Sequence, residues 1–126
     1  MVHVRDVMHA GERLPVVSED ALLRDALLEV SGKGLGMTAI VSGSGELVGI
    51  FTDGDLRRAF DRDIDLKTAG VSALMSRQPR TIEADALAAE AVQKMQSWKV
   101  NGLLVTDGGK LVGALNMHDL LKAGVV

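Results

Sequence analysis

Two short motifs combine residue types that could bind a ligand. Thr52 and Asp55 stand three residues apart at the end of the apolar run VGIFT, and Asn116 and Asp119 repeat this spacing. Such a pair, directly before a helix, is typical of a capping box. The same carboxylate, beside the free amides of a helix N-terminus, could instead accept ribose hydroxyls and place an anion. At this point both interpretations stay open.

A glycine precedes each motif by three residues. Gly49 and Gly113 both lie in runs that are typical of β-strands. Glycine inside a strand gives up side-chain packing and usually marks the close approach of another group. We therefore interpret the two glycines as a low floor beside each helix N-terminus, where a nucleotide could lie.

The composition limits the classes of partner. The chain has 126 residues, 47% of them hydrophobic, which suits one compact unit with a real core. Its 14 basic and 17 acidic residues give a net charge of -3, so it lacks the broad basic surface that nucleic-acid binding needs. It has no cysteine, and no apolar run approaches the roughly 20 residues that span a bilayer. We expect a cytoplasmic protein that binds neither nucleic acid nor membrane.

The chain is a tandem duplication. The stretch VVSEDALLRDAL, which begins at Val16, matches TIEADALAAEAV, which begins at Thr81. Further on, ELVGIFTDGDL matches KLVGALNMHDL. The duplication predicts two repeats, residues 1–62 and 63–126, each of which is too small to stand alone.

Each repeat has the same order of predicted elements. A short strand, an amphipathic helix, two strands joined by a glycine-rich turn, and a second helix follow one another. Ser18 is placed to cap the first long helix. Residues 61–78 form a linker with a short helix that ends near Met75 and resembles VRDVM at residues 4–8. We predict an α/β protein of two β-α-β-β-α repeats whose sheets pack together.

The motif glycine, two apolar residues, Thr or Ser, two residues, Asp, duplicated in such a unit, resembles the cystathionine β-synthase (CBS) domain pair, or Bateman module. The resemblance covers the whole chain; Gly49–Asp55 matches fully, whereas Asn116 departs from the Thr or Ser of the family. It implies pseudo-twofold packing of the repeats, with nucleotides in the clefts between them. Asp55 would then accept the ribose, with Thr52 beside it, and the cleft they line would dominate binding. Residues implied to flank the base are Met37 and Thr38, or Gly102 and Leu103.

Longer strings carry a closer resemblance. DALLEVSGKGLGMTAIV, GIFTDGDLRRAF and MHDLLKAGVV are similar to the C-terminal CBS pair of bacterial arabinose 5-phosphate isomerases. These enzymes feed the synthesis of Kdo, the acidic sugar of lipopolysaccharide. In that family the catalytic site lies in a separate sugar isomerase (SIS) domain, no part of which is present here. The resemblance therefore implies a regulatory, non-catalytic portion that partners its own SIS domain and forms a homodimer.

The ligand stays open at this point. The family favours an adenine nucleotide such as AMP or ATP, whereas the logic of the pathway favours its activated end product, CMP-Kdo; a ligand-free module that only joins subunits is the remaining alternative. No cofactor, catalytic residue or metal site is expected. Asp53 and His118 either face the ligand or lie exposed on a first helical turn. Candidate cations for the acid group of the ligand are Lys33, Arg57, Arg80 and Lys99.

Overall fold

The computed structural model describes residues 1–126 and confirms the α/β class and the β-α-β-β-α order of both repeats. Single 3-10 turns lie at Gly11–Arg13 and Val71–Ala73. No helix is both long enough and apolar enough to cross a membrane. The elements in chain order are α1 (Val4–Val7), β1 (Val16–Ser18), α2 (Leu23–Lys33), β2 (Met37–Val41), β3 (Leu47–Thr52), α3 (Asp53–Phe60), β4 (Ser76–Arg77), β5 (Thr81–Glu83), α4 (Ala88–Trp98), β6 (Gly102–Asp107), β7 (Lys110–Asn116) and α5 (Met117–Lys122).

The chain divides into two compact units. Residues 15–79 form the first unit, and residues 1–14 together with 80–126 form the second unit. The predicted boundary between residues 62 and 63 follows the sequence repeat, whereas the folded units divide the chain elsewhere. The reason is that residues 1–14, the N-terminal arm, pack on the second sheet, while residues 61–79, the connecting segment, stay on the first.

In the first unit the strand order is β1-β2-β3-β4, with β1 parallel to β2 and the other pairs antiparallel. The prediction that Ser18 caps α2 is wrong. The Ser18 hydroxyl accepts a 3.1 Å hydrogen bond from the amide of Asp20, and α2 begins only at Leu23, whose amide donates to the carbonyl of Ala69 at 2.8 Å. The apolar face of α2 packs with the sheet in one core that includes Leu23, Ala26, Ile40, Phe51 and Val71.

In the second unit the strand order is β5-β6-β7. The N-terminal arm belongs to the same unit. The Val4 side chain is fully buried in the core of this unit. The amide of Val4 donates to the carbonyl of Ala86 at 2.9 Å, and His9 and Ala114 exchange backbone hydrogen bonds of 2.8 and 3.0 Å. The arm is therefore part of the folded unit, because its backbone polar groups are paired and its apolar side chain is buried. Other members of this core are Ile82, Met95, Leu103, Leu115 and Leu120.

Candidate functional site

The first motif forms the predicted capping box at the junction of β3 and α3. The Thr52 hydroxyl accepts a hydrogen bond from the amide of Asp55 at 3.3 Å, and the Thr52 amide donates to Oδ2 of Asp55 at 2.9 Å. Two amides at the helix N-terminus are thus satisfied reciprocally. The capping interpretation of this pair is confirmed.

Asp55 also holds the connecting segment. Its Oδ1 accepts hydrogen bonds from the guanidinium of Arg58 at 2.6 Å and from the hydroxyl of Ser76 at 2.8 Å, and its Oδ2 accepts a further bond from the Thr52 hydroxyl at 3.1 Å. The side chain is only 4% exposed. A carboxylate offers about four acceptor positions, and here four donors occupy them. A ligand hydroxyl would have to displace one of these donors, so the geometry does not support the expectation that the first motif dominates binding.

In the second motif the carboxylate of Asp119 has fewer hydrogen-bond partners than that of Asp55. The Asn116 side chain accepts from the amide of Asp119 at 3.0 Å, and the Asn116 amide donates to Oδ2 of Asp119 at 2.8 Å. Asparagine therefore replaces the family's Thr or Ser without loss of the capping box. The remaining oxygen, Oδ1, lies 2.9 Å from Nε2 of His9 in the N-terminal arm. The carboxylate of Asp119 thus makes two hydrogen bonds, whereas that of Asp55 makes four.

The prediction that Gly49 and Gly113 leave a floor for a ligand is corrected by the structure. A Cβ atom on Gly49 would lie 2.6 Å from Sδ of Met75, and one on Gly113 would lie 2.5 Å from Sδ of Met8. The groups that approach these glycines are therefore two methionines of the chain itself. The arm packs Met8 against Gly113, and the connecting segment packs Met75 against Gly49. The two contacts correspond, in agreement with the similarity of residues 4–8 to the stretch that ends at Met75.

Most other predicted site residues of the first unit are buried in the protein. Met37 and Thr38 open β2, where Met37 pairs with Thr52 in the sheet, and both side chains are buried. Asp53 is exposed, and its Oδ2 would lie 3.5 Å from a Cβ atom on Gly36. The structure therefore brings these residues together around the start of α3, but only Asp53 among them points a charged group outward.

Two of the four predicted cations, Lys33 and Arg80, have partners within the chain, whereas Arg57 and Lys99 are exposed. Lys33 forms a 2.7 Å ion pair with Glu29, and Arg80 lies over the ring of Trp98, 4.8 Å from its centroid. Lys99 has the left-handed backbone conformation that ends α4. The predicted site residues that belong to the second unit are Arg80, Lys99, Gly102, Leu103, Asn116, His118 and Asp119. Of these, His118 is exposed on the first turn of α5.

Two carboxylates have shifted pKa values. Burial alone would raise the pKa of Glu29, but the hydrogen bond from Lys33, the 3.0 Å hydrogen bond from the amide of Val16 and the charge of Lys33 together hold it below 4.5, its ordinary value. The pKa of Glu83 is also lowered, first by the hydrogen bond from the Thr106 hydroxyl and then by that from the amide of Gly108. Both groups stabilise a local structure, and neither lies among the predicted ligand contacts.

The lowered pKa of Glu29 predicts a loss of stability in acid. Because its folded-state pKa is depressed, Glu29 contributes stability above its ordinary value of 4.5, and this contribution is lost as the pH falls through the folded-state value. We expect Glu29→Gln to cost about 0.5–1 kcal/mol at about pH 7 and almost nothing at about pH 3. Urea unfolding at both pH values measures this difference. Glu90→Gln, which breaks the longer and more exposed Glu90–Lys94 pair, is the control and should cost less.

A pocket beside the second motif was not foreseen. It is a shallow depression, largely open to solvent, with a volume of about 290 Å³, and it lies entirely within the second unit. Sequence reasoning missed Arg13 and Lys122, although Lys122 follows Asp119 by the three residues that separate Arg58 from Asp55. That correspondence between the repeats was the available signal. The arm contributes Asp6, Val7, His9 and Arg13 to the lining, and α5 with the residue after it contributes Asp119, Lys122 and Ala123.

Comparison with protein families and curated proteins gives a consistent result. The model of the CBS domain matches residues 2–62 and 71–126. The chain is 50% identical over 127 residues to arabinose 5-phosphate isomerase KdsD of Pseudomonas aeruginosa, a match that covers all of this chain and 39% of that protein. The chain therefore spans about two fifths of the length of the curated relatives it matches.

Solved structures share the fold. The crystal structure of CBSX2 in complex with AMP has a TM-score of 0.81 and 23% identity, and covers 99% of this chain and 97% of CBSX2. The CBS domain pair of protein MJ0100, in complex with 5'-methylthioadenosine and S-adenosyl-L-methionine, has a TM-score of 0.85 and 20% identity, and covers 99% of this chain and 97% of that pair. At these sequence identities the comparison shows that the fold is shared and nothing more.

Proposed function

Because this chain belongs to the CBS domain family, we propose that it is the regulatory, ligand-binding part of an arabinose 5-phosphate isomerase of the Kdo and lipopolysaccharide pathway. A CBS pair does not itself catalyse a reaction. The isomerisation is assigned to a separate SIS domain of a longer cytoplasmic protein. In that protein this chain would partner the SIS domain and sense a small molecule. The observation that carries the proposal is the match of the whole chain to about two fifths of such isomerases.

The ligand class in this proposal is a nucleotide or a nucleotide sugar. CBS pairs of the same fold hold AMP or S-adenosyl-L-methionine and a related nucleoside. Each repeat offers a carboxylate at a helix start, Asp55 or Asp119, that suits a ribose hydroxyl. Of the two, Asp119 has fewer internal donors and lies beside a pocket, so the second motif is the better candidate for first contact with the ligand.

CMP-Kdo is the preferred ligand because it is the activated end product of the pathway. Binding it would let the isomerase respond to the demand for Kdo. Its ribose would bind a motif carboxylate, and its acid group needs a cation. An adenine nucleotide, AMP or ATP, is the second candidate, since CBSX2 binds AMP.

The proposal also includes a homodimer. Leu28 and Phe60, both in the first unit, are 71% and 67% exposed, and large apolar side chains left in water favour association. A module that associates in this way without binding any ligand is the structural alternative.

A thermal-shift panel tests the ligand. AMP, ATP, CMP and CMP-Kdo are each added to the folded chain, and the unfolding temperature is measured. A ligand present at about 100 times its dissociation constant adds about 2.7 kcal/mol to the free energy of unfolding. We expect the largest shift with CMP-Kdo. A large shift with AMP or ATP and none with CMP-Kdo would replace end-product sensing with adenine-nucleotide sensing.

A further inference from the structure

The turn between α4 and β6 contains an asparagine that is followed by glycine. The chain has two asparagines, Asn101 and Asn116, and only Asn101 precedes a glycine, Gly102. Asn101 is exposed in a bend, two residues after Lys99, whose left-handed backbone ends α4. Glycine has no Cβ atom, so nothing shields its nitrogen from the amide side chain that precedes it.

The amide nitrogen of Gly102 is free to react. Gly102 faces Asn116 across the strands, and the neighbouring hydrogen bond runs from the amide of Met117 to the carbonyl of Asn101 at 2.9 Å. In an antiparallel pair with this pattern, the amides of the two facing residues point away from each other. On the other side of β6, pairing with β5 begins only at Leu104. The Gly102 amide therefore has no strand partner, and solvent reaches it because the residue is partly exposed.

We propose that Asn101-Gly102 is a site of spontaneous deamidation. The Gly102 nitrogen attacks Cγ of Asn101 and closes a five-membered succinimide ring, while the proton of that nitrogen and the side-chain NH2 leave together as ammonia. Water then adds to one of the two ring carbonyl carbons and breaks its bond to the nitrogen. One opening gives an aspartyl residue, and the other gives an isoaspartyl residue, whose backbone runs through Cβ.

Asn116 is protected against the same reaction. Its side-chain oxygen accepts a hydrogen bond from the amide of Asp119 at 3.0 Å. The nitrogen that would attack, that of Met117, donates to the carbonyl of Asn101 at 2.9 Å and belongs to a residue with a long side chain. Both reacting groups are engaged, so Asn116 is an internal control for Asn101.

The isoaspartyl product changes the start of α5. Its additional backbone methylene lies where the Asn101 carbonyl accepts the amide of Met117, the first residue of α5, so we expect this hydrogen bond to be lost. The first unit cannot undergo the change. There Gly36 holds the first amide of α3, that of Asp53, at 3.4 Å, and glycine has no side-chain amide to lose. The modification therefore affects one repeat only.

Peptide mass mapping of the whole chain tests the inference. The unchanged chain and Gly102→Ala are incubated in mildly alkaline buffer and sampled over time. Trypsin cleaves after Lys99 and Lys110, so the two asparagines lie on separate peptides. The mass gained when OH replaces NH2 is measured on each peptide, and a zero-time sample corrects for reaction during digestion. Synthetic peptides of residues 96–107, with and without the substitution, give the rates in the absence of structure.

We expect Asn101 of the folded chain to convert less than about a hundredfold more slowly than the peptide, which corresponds to a local opening free energy below about 2.8 kcal/mol. Asn116 should convert more slowly than that bound. Gly102→Ala, which circular dichroism shows to be folded or not, should slow the conversion of Asn101 as strongly as it slows that of the matching peptide. The backbone of Gly102 is not left-handed, so alanine is compatible with it.

Three results would overturn the inference. The first is conversion of Asn101 below the bound, and the second is conversion no faster than that of Asn116. The third is an unchanged rate in Gly102→Ala, because attack by the Gly102 nitrogen would then not be the step measured. Thermal unfolding tests the structural consequence: chain enriched in the isoaspartyl product should unfold at a lower temperature than Asn101→Asp, which adds the same charge without the methylene. Equal unfolding temperatures would overturn the expected loss of the Met117 hydrogen bond.

Discussion

Asp55→Ala is expected to lower the free energy of unfolding by about 3 kcal/mol. The substitution removes a buried carboxylate that accepts hydrogen bonds from Thr52, Arg58 and Ser76. Loss of a capping interaction costs about 1 kcal/mol, and donors left without a charged acceptor add about 1–3 kcal/mol. The contact with Arg58 adds little, because that side chain is 67% exposed and water replaces its partner. Chemical denaturation with urea measures the change.

Two matched variants separate the contributions to this loss. Asp119→Ala removes the corresponding carboxylate, which has fewer donors, and should cost about half as much. Arg58→Ala removes only the exposed ion pair and should cost less than about 1 kcal/mol. If Asp55→Ala costs no more than Arg58→Ala, the hydrogen bonds that Asp55 accepts from Thr52 and Ser76 contribute no measurable stability.

The expected loss of stability in Asp55→Ala also affects the choice of variant for binding measurements. A loss of ligand binding in Asp55→Ala would not by itself identify a contact, since the variant is also expected to loosen β4 and the start of α3. Asp55→Asn, which keeps the size of the side chain and one acceptor oxygen, is the better variant for binding measurements.

Gly49→Ala and Gly113→Ala are each expected to destabilise the protein by about 1–3 kcal/mol. The added Cβ atom would lie against Sδ of Met75 or Met8, and it would also lie 3.0 Å from the carbonyl oxygen of Ser76 or 3.1 Å from that of His9. The methionine side chains can move, but the backbone carbonyls are fixed by the strand pairing. The loss is therefore expected to remain in part when the methionine is shortened as well.

Gly32→Ala is the control for the glycine substitutions. Gly32 lies inside α2, and a Cβ atom there would meet nothing within 4 Å. Alanine is the better helix former, so this variant should gain about 0.5–1 kcal/mol. Thermal or urea unfolding of the three variants gives the comparison. A neutral Gly49→Ala would mean that the connecting segment lies farther from its sheet than the structure has it, and a neutral Gly113→Ala would mean the same of the arm.

The local elements could be predicted from the sequence because their signals are local. Apolar residues at helical spacing predicted α2 and α4, the glycine-rich turns predicted the hairpins, and the spacing of Thr52 and Asp55 predicted a capping box that the structure confirms. The start of α2 was less predictable, because the amide of its first residue, Leu23, donates to the carbonyl of the distant Ala69 and not to the side chain of Ser18.

The site could be predicted only in part because its decisive contacts join distant residues. His9 reaches Asp119 across 110 positions, and Ser76 reaches Asp55 across 21. No spacing rule contains such pairs. Without them Asp55 looked available to a ligand and the glycines looked like a floor. The repeat itself held the missing information, since residues 4–8 resemble the stretch that ends at Met75 and each segment covers one of the two glycines.

The central claim is that this chain is a ligand-sensing module, and a direct titration of the folded chain tests it best. CMP-Kdo, CMP, AMP and ATP are titrated in turn by calorimetry, while light scattering reports the oligomeric state of the same sample. The account predicts saturable binding of CMP-Kdo to a homodimer. A dimer that binds none of the four compounds would contradict the claim and would identify the chain as a structural module that only joins subunits.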